Sequence, residues 1–144
     1  VRAGTAATGV ITMPKILIID DSPSALRVTR EILAAAGYEV STCDAAKKAT
    51  RMATQEQFDL ILTDIYMPDG DGLDVIRDVR RLRPATAFIA MSGMTGQLNM
   101  LTVAKHLGAR QTLQKPFQPE DLLAAVEAAI GDANGSRAQS DGGF

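Results

Sequence analysis

Tryptophan is absent from this chain of 144 residues, aromatic residues make up only 4% of it, and cysteine and histidine occur once each. A lone thiol, Cys43, can close no internal disulfide and can build no multi-cysteine metal site. The chain therefore suits a reducing cytoplasm, with Cys43 as small core filler. The lone histidine, His106, brings no ligand cluster with it and reads as a solvated or packed side chain rather than a phosphorelay histidine. No apolar run approaches the length that crosses a bilayer, and the N-terminal stretch has neither the charged start nor the long apolar middle of a secretion signal. A cytoplasmic protein with no membrane partner is expected. An excess of one charge sign is missing too: 15 Lys and Arg stand against 17 Asp and Glu, a formal net charge of -2. Nucleic acid is normally met with a concentrated positive surface, so no nucleic-acid partner is expected and a protein partner is. The one basic run, Arg77, Arg80, Arg81 and Arg83, is explained by cations in the last turn of a helix that Pro84 stops.

What is present is a core. Hydrophobic residues are 46% of the chain, enough for one domain and too short a length for two. Residues 1–13 are small and Thr- and Gly-rich and read as a leader or a disordered extension, while 131–144 are polar and Gly-rich and read as a disordered tail. Between them, over 14–130, β-rich runs alternate with helical periodicity. Ile16 to Ile19 is a continuous apolar run, the pattern of a strand covered on both faces. Asp21 or Ser22 can cap the helix that follows, Pro23 fits its first turn and Gly37 ends it. Further strands are expected at 38–42, 58–63, 86–91 and 111–113, with helices at 45–54, after Asp71, at 98–107 and from Pro119 onward. Five strand-helix units in strict alternation predict an α/β fold, a doubly wound five-stranded parallel sheet with five helices.

In such a sheet the ligand site lies beyond the carboxyl ends of the strands. Asp20 and Asp21 follow the first strand, Asp64 the third, Ser92 the fourth and Lys115 the fifth. Close carboxylates repel by on the order of 4 kcal/mol per pair at an effective dielectric of 20, so a cation is expected among them. Oxygen ligands without histidine or cysteine favour a hard divalent ion, and Mg²⁺ is the expected cofactor. A carboxylate beside Mg²⁺ can attack phosphorus itself, with an ammonium and a hydroxyl to steady the phosphoryl oxygens. Asp64 fits the phosphoacceptor, and Lys115 and Ser92 fit the helpers. The Asp69–Gly72 stretch fails as a calcium loop, because its fifth, sixth and twelfth positions are Leu73, Asp74 and Arg80.

The pair Asp20-Asp21, the run Asp64-Ile65-Tyr66-Met67-Pro68 with Gly70 and Gly72, Met91-Ser92-Gly93 and Lys115-Pro116-Phe117 fall in order, each after an expected strand. Together they resemble response-regulator receiver domains of the chemotaxis-regulator type, from two-component signalling. The resemblance implies a flavodoxin-like strand order 2-1-3-4-5 and phosphotransfer to Asp64 from the phosphohistidine of a histidine kinase or phosphotransfer protein. It also implies a metal held by Asp21, Asp64 and the backbone carbonyl of Tyr66, with Asp20 acting through a metal-bound water. Lys115 would pair with Asp64, the Lys115-Pro116 peptide would be cis, and Ser92 would move toward the phosphoryl group as the switch. Thr112 departs from the family pattern, since an aromatic residue usually stands at that switch position.

The expected function is thus a stand-alone, Mg²⁺-dependent phosphorylation switch that changes its binding to a downstream protein, as a monomer or weak dimer. It would not be an enzyme beyond accepting and slowly losing its own phosphoryl group. Three other readings stay open: a receiver belonging to a larger hybrid kinase or transcription factor, a pseudo-receiver adaptor indifferent to phosphorylation, and a phosphatase acting on external phosphoesters.

Overall fold

The computed structural model describes residues 13–67, 70–93 and 98–142, apart from the side chains of 70–71, 98–99 and 132–142. Of the residues singled out in the sequence, 1–12 of the expected leader, Pro68 and Asp69 lie outside what is described, as does the side chain of Asp71. Five strands, β1 (Lys15–Ile19), β2 (Glu39–Cys43), β3 (Leu60–Asp64), β4 (Ala87–Ser92) and β5 (Gln111–Gln114), form one sheet in the order β2-β1-β3-β4-β5. Every pairing in it is parallel. The order reverses between β1 and β3, which opens a crevice at their carboxyl ends.

Alternation along the strands decides which helix covers which face. Leu17, Ile19, Ile61, Phe88 and Ala90 face α2 (Ala46–Gln55), α3 (Gly72–Leu82) and α4 (Leu98–Leu107). Ile16, Ile18, Leu60, Leu62, Ile89 and Leu113 face α1 (Pro23–Ala35) and α5 (Pro119–Gly142). Ile16 through Ile19 are all fully buried, as a strand with helices on both sides requires. Each such side chain stabilises the fold by roughly 1.5–3 kcal/mol relative to exposure.

The helix ends follow local chemistry. Ser22 is the N-cap of α1, its hydroxyl accepting from the Ala25 amide at 3.3 Å, with Pro23 in the first turn. At the other end Gly37 takes φ +100°, and the amides of Gly37 and Tyr38 return to the carbonyls of Ala34 and Leu33, a Schellman closure. Residues 66–67 pair antiparallel with 70–71 in a two-residue ladder between β3 and α3.

The structure gives α5 as Pro119–Gly142, so it runs into the 131–144 stretch expected as a disordered tail; the side chains of 132–142 and residues 143–144 lie outside the description. Once a helix is nucleated, each added residue gains a hydrogen bond for two fixed dihedrals.

Candidate functional site

The carboxyl edge of the sheet brings five of the expected residues together. β1 ends at Ile19, so Asp20 and Asp21 emerge over the crevice; the Asp20 amide still bonds to the Cys43 carbonyl at 3.1 Å, extending the β1–β2 ladder by one residue. Asp64 is the last residue of β3, in register with Met91 of β4. Ser92 ends β4, and its carbonyl accepts from the Lys115 amide at 2.7 Å, which sets Lys115 beside it past the end of β5. The peptide between Lys115 and Pro116 is cis, as expected.

Asp20 is 2% and Asp64 9% exposed, whereas Asp21 faces solvent. One oxygen from each of the three lies within 4.8 Å of the others. Lys115 Nζ donates to Asp20 Oδ2 at 2.6 Å and to Asp64 Oδ2 at 3.2 Å. One ammonium against three carboxylates leaves the pocket two charges short of neutrality. The partner closest to Lys115 is Asp20 rather than the expected Asp64. The other oxygen of Asp20, Oδ1, accepts from the Ser22 amide at 3.0 Å in the turn that starts α1.

The charge deficit appears in the acidities. Burial pushes the Asp64 carboxyl up to about 6; the Lys115 ammonium opposes this, and the negative charges of Asp20 and Asp21 add to it. Burial pulls Lys115 down, but its hydrogen bond to Asp20 and the charges of Asp64 and Asp20 outweigh that and raise it above the ordinary lysine value. A divalent cation fits this donor set. It would restore neutrality, its ligands would be hard oxygens, and exposed Asp21 leaves room for the waters such an ion retains.

Gly72 is a site residue that spacing alone could not explain. Its amide donates to the Ile65 carbonyl at 2.6 Å, and the start of α3 lies directly against the backbone of Asp64. The Thr63 hydroxyl donates to the Asp64 carbonyl at 2.9 Å. Asp64 is therefore held by its backbone as well as by its strand.

Residues 16–127 match the profile of the response regulator receiver domain family. The chain belongs to that family. Among curated relatives, the DNA-binding transcriptional regulator NtrC of Azospirillum brasilense is 36% identical over 115 residues, covering 80% of this chain and 24% of the relative. The chemotaxis protein CheY of Thermotoga maritima is 31% identical over 113 residues, covering 78% of this chain and 93% of that protein. A CheY-like receiver domain structure from Methanospirillum hungatei superposes with a TM-score of 0.81 at 30% identity, covering 87% of this chain and 99% of the other. The chain thus spans about a quarter of the length of the NtrC relative and nearly all of the CheY relative.

Other residues singled out in the sequence of this receiver domain are placed as follows. Ser92 is fully buried, its hydroxyl 3.3 Å from the Gly93 carbonyl. Tyr66 sits two residues past Asp64 in the short ladder, its side chain 47% exposed. Thr112 is half-buried in β5, in register with Ala90. The basic run is elsewhere, and two of its members act on other helices than their own. Arg80 donates to the Leu107 carbonyl at the end of α4, and Arg83 donates to the Ala53 and Thr54 carbonyls at the end of α2. His106 is exposed on α4, away from the acidic pocket. Among the described residues no helix is long and apolar enough to cross a membrane.

Proposed function

We propose that this receiver domain is a phosphorylation switch whose acceptor is Asp64, charged by the phosphohistidine of a histidine kinase or phosphotransfer protein and read by a downstream protein. The observation that carries this reading is the position of Asp64: at a strand end, 3.2 Å from Lys115 and within a cluster of carboxylates that needs a cation. An Asp64 oxygen forms the new bond to phosphorus while the bond to the donor's leaving atom breaks and its electron pair leaves with the donor. Lys115 then exchanges part of its contact with the carboxylates for contact with a phosphoryl oxygen, and the Ser92 hydroxyl takes another. Asp20, Asp21, Asp64 and the Tyr66 carbonyl are the residues that would hold Mg²⁺, which supplies charge neutralisation for the phosphoryl oxygens. Withdrawal of the Ser92 hydroxyl toward the phosphoryl group would carry the following segment and α4 with it. Thr112 lacks an aromatic ring, so the readout would run through that segment rather than through a swinging side chain.

No histidine lies in the acidic cluster to protonate a departing alcohol, which supports a switch that turns over only its own phosphoryl group rather than a phosphatase. The DNA binding named for the NtrC relative belongs to a protein of which this chain matches 24%. A protein-directed output is the reading that the near-neutral charge of the chain supports. Trapping the phosphorylated chain with borohydride converts an aspartyl phosphate to homoserine, and peptide sequencing locates it. Homoserine at position 64 is the expected result; homoserine at another aspartate, or none in chain that carries phosphoryl, would refute the assignment.

A further inference from the structure

The last turns of α3 and α4 flank a cavity of about 440 Å³ lined by Arg77, Arg80, Arg81, His106 and Leu107. α3 starts against the backbone of Asp64 and runs away from it, so this cavity lies roughly 15 Å along the helix from the acceptor at 1.5 Å per residue. Closing helix ends accounts for part of the basic run here and not for all of it. Arg83 serves α2, and Arg80 donates to the Leu107 carbonyl at 2.8 Å. Arg77 is engaged by Asp74 at 3.0 Å and by Asp78 at 3.3 Å. Arg81 and His106 make no side-chain hydrogen bond or ion pair among the described residues, and both are exposed on the cavity wall. Arg80 packs across Gly108 so closely that a side chain there would overlap its guanidinium. The two helix ends are thus tied together before any ligand arrives, and a wall set in advance costs less to order on binding.

We propose that this cavity docks an acidic, leucine-containing segment of a partner protein, with carboxylates on Arg80 and Arg81 and an apolar side chain against Leu107 and Leu82. Guanidinium forks accept carboxylates two hydrogen bonds at a time. Compact phosphates are instead met by the amides of helix N-termini, whereas two helices here present their carbonyl ends, whose partial negative charge opposes a concentrated polyanion. Leu107 lies in the wall, and Leu82, next to Arg81, is 56% exposed. That apolar margin can be covered by a peptide and is of no use to a phosphate. Arg77 is neutralised by its aspartates, which leaves Arg80 and Arg81, enough for a pair of carboxylates and short of the row of cations that a nucleic-acid backbone requires. No residue of the acidic pocket takes part, so the inference stands apart from the acceptor assignment.

The test titrates a synthetic peptide of alternating glutamate pairs and leucines, blocked at both ends, into the isotopically labelled chain and follows each backbone amide by NMR. Its counterpart with glutamine for glutamate, inorganic pyrophosphate and a single-stranded oligothymidylate are titrated in parallel. Saturable shifts centred on residues 77–82 and 105–110 are expected with the acidic peptide. Its dissociation constant should rise on the order of tenfold in Arg81→Glu and less than about twofold in Arg51→Glu, which makes the same charge change on the exposed side of α2. The amide spectrum itself shows that each variant is folded. An absence of shifts at these positions, equal shifts with the glutamine peptide, or equal affinities in the two variants would overturn the proposal. Tighter binding of pyrophosphate at the same amides would overturn it in favour of a small-anion site, and tighter binding of the oligothymidylate in favour of a nucleic-acid face.

Discussion

A methyl group on the Cα of Gly72 would come within 2.2 Å of the backbone carbonyl oxygen of Asp64 and within 2.9 Å of the Thr63 hydroxyl. Both neighbours are fixed, the first as main chain of a central strand and the second by its bond to that same carbonyl. Gly72→Ala must therefore shift α3 or the acceptor. The expected cost is about 1–3 kcal/mol, in the range of other overpacked sites, with slower phosphorylation of Asp64 as the more specific consequence. Urea unfolding together with the rate of phosphoryl incorporation checks both, and unchanged values for each would show that the contact relaxes freely.

The raised pKa of Asp64 makes stability depend on pH with a definite sign. Its carboxyl holds its proton up to about 6 in the folded chain, against an ordinary value of 3.8. The folded state therefore binds the proton more tightly than the unfolded state does. Without metal, this contribution is fully present below pH about 4 and is lost as pH rises through about 6. Asp64→Asn removes the ionisation and should melt higher than the wild type at pH 7 in chelator, while the two converge near pH 4. Adding Mg²⁺ at pH 7 should raise the wild-type melting temperature more than that of Asp64→Asn. A wild type that gains stability steadily from pH 4 to 7 in chelator would contradict this.

Lys115 is the only ammonium bonded to Asp20 and Asp64 among the described residues. Lys115→Met leaves two buried carboxylates facing each other without it. A loss of about 2–3 kcal/mol at pH 7 is expected, below the figure for a wholly buried pair because part of the lysine meets solvent. Chemical denaturation with and without Mg²⁺ is the measurement, since a divalent ion should recover much of that loss. No recovery would mean that the carboxylates do not share a cation.

Arg83 supplies the contrast of a purely structural cation. Its guanidinium reaches the Ala53 and Thr54 carbonyls, each at 3.0 Å, and Gln57 Oε1 at 3.1 Å, closing the open end of α2. Arg83→Ala should cost about 1–2 kcal/mol in a denaturation midpoint while phosphorylation proceeds at the wild-type rate. A large fall in that rate would mean that α2 is coupled to the site.

Much of this was legible in the sequence, and the particular residues show why. The run from Ile16 to Ile19, the cap at Ser22, the left-handed turn at Gly37 and the strict alternation of strands and helices are local signals, and the structure has each where its chemistry puts it. Once the strands are parallel, their carboxyl ends share one edge, so Asp20, Asp21, Asp64, Ser92 and Lys115 had to converge. What was not legible depends on side-chain geometry across long sequence distances. Nothing in the spacing says that Lys115 lies closer to Asp20 than to Asp64, or that Arg80 and Arg83 close helices other than their own.

Intact mass after incubation with acetyl phosphate, with Mg²⁺ or with chelator, on the wild type and on Asp64→Asn, tests the central claim most directly. The account predicts one phosphoryl adduct in the wild type with Mg²⁺, little with chelator and none in the variant. An adduct that persists in Asp64→Asn, or a folded wild type that takes up no phosphoryl group in Mg²⁺, would contradict it.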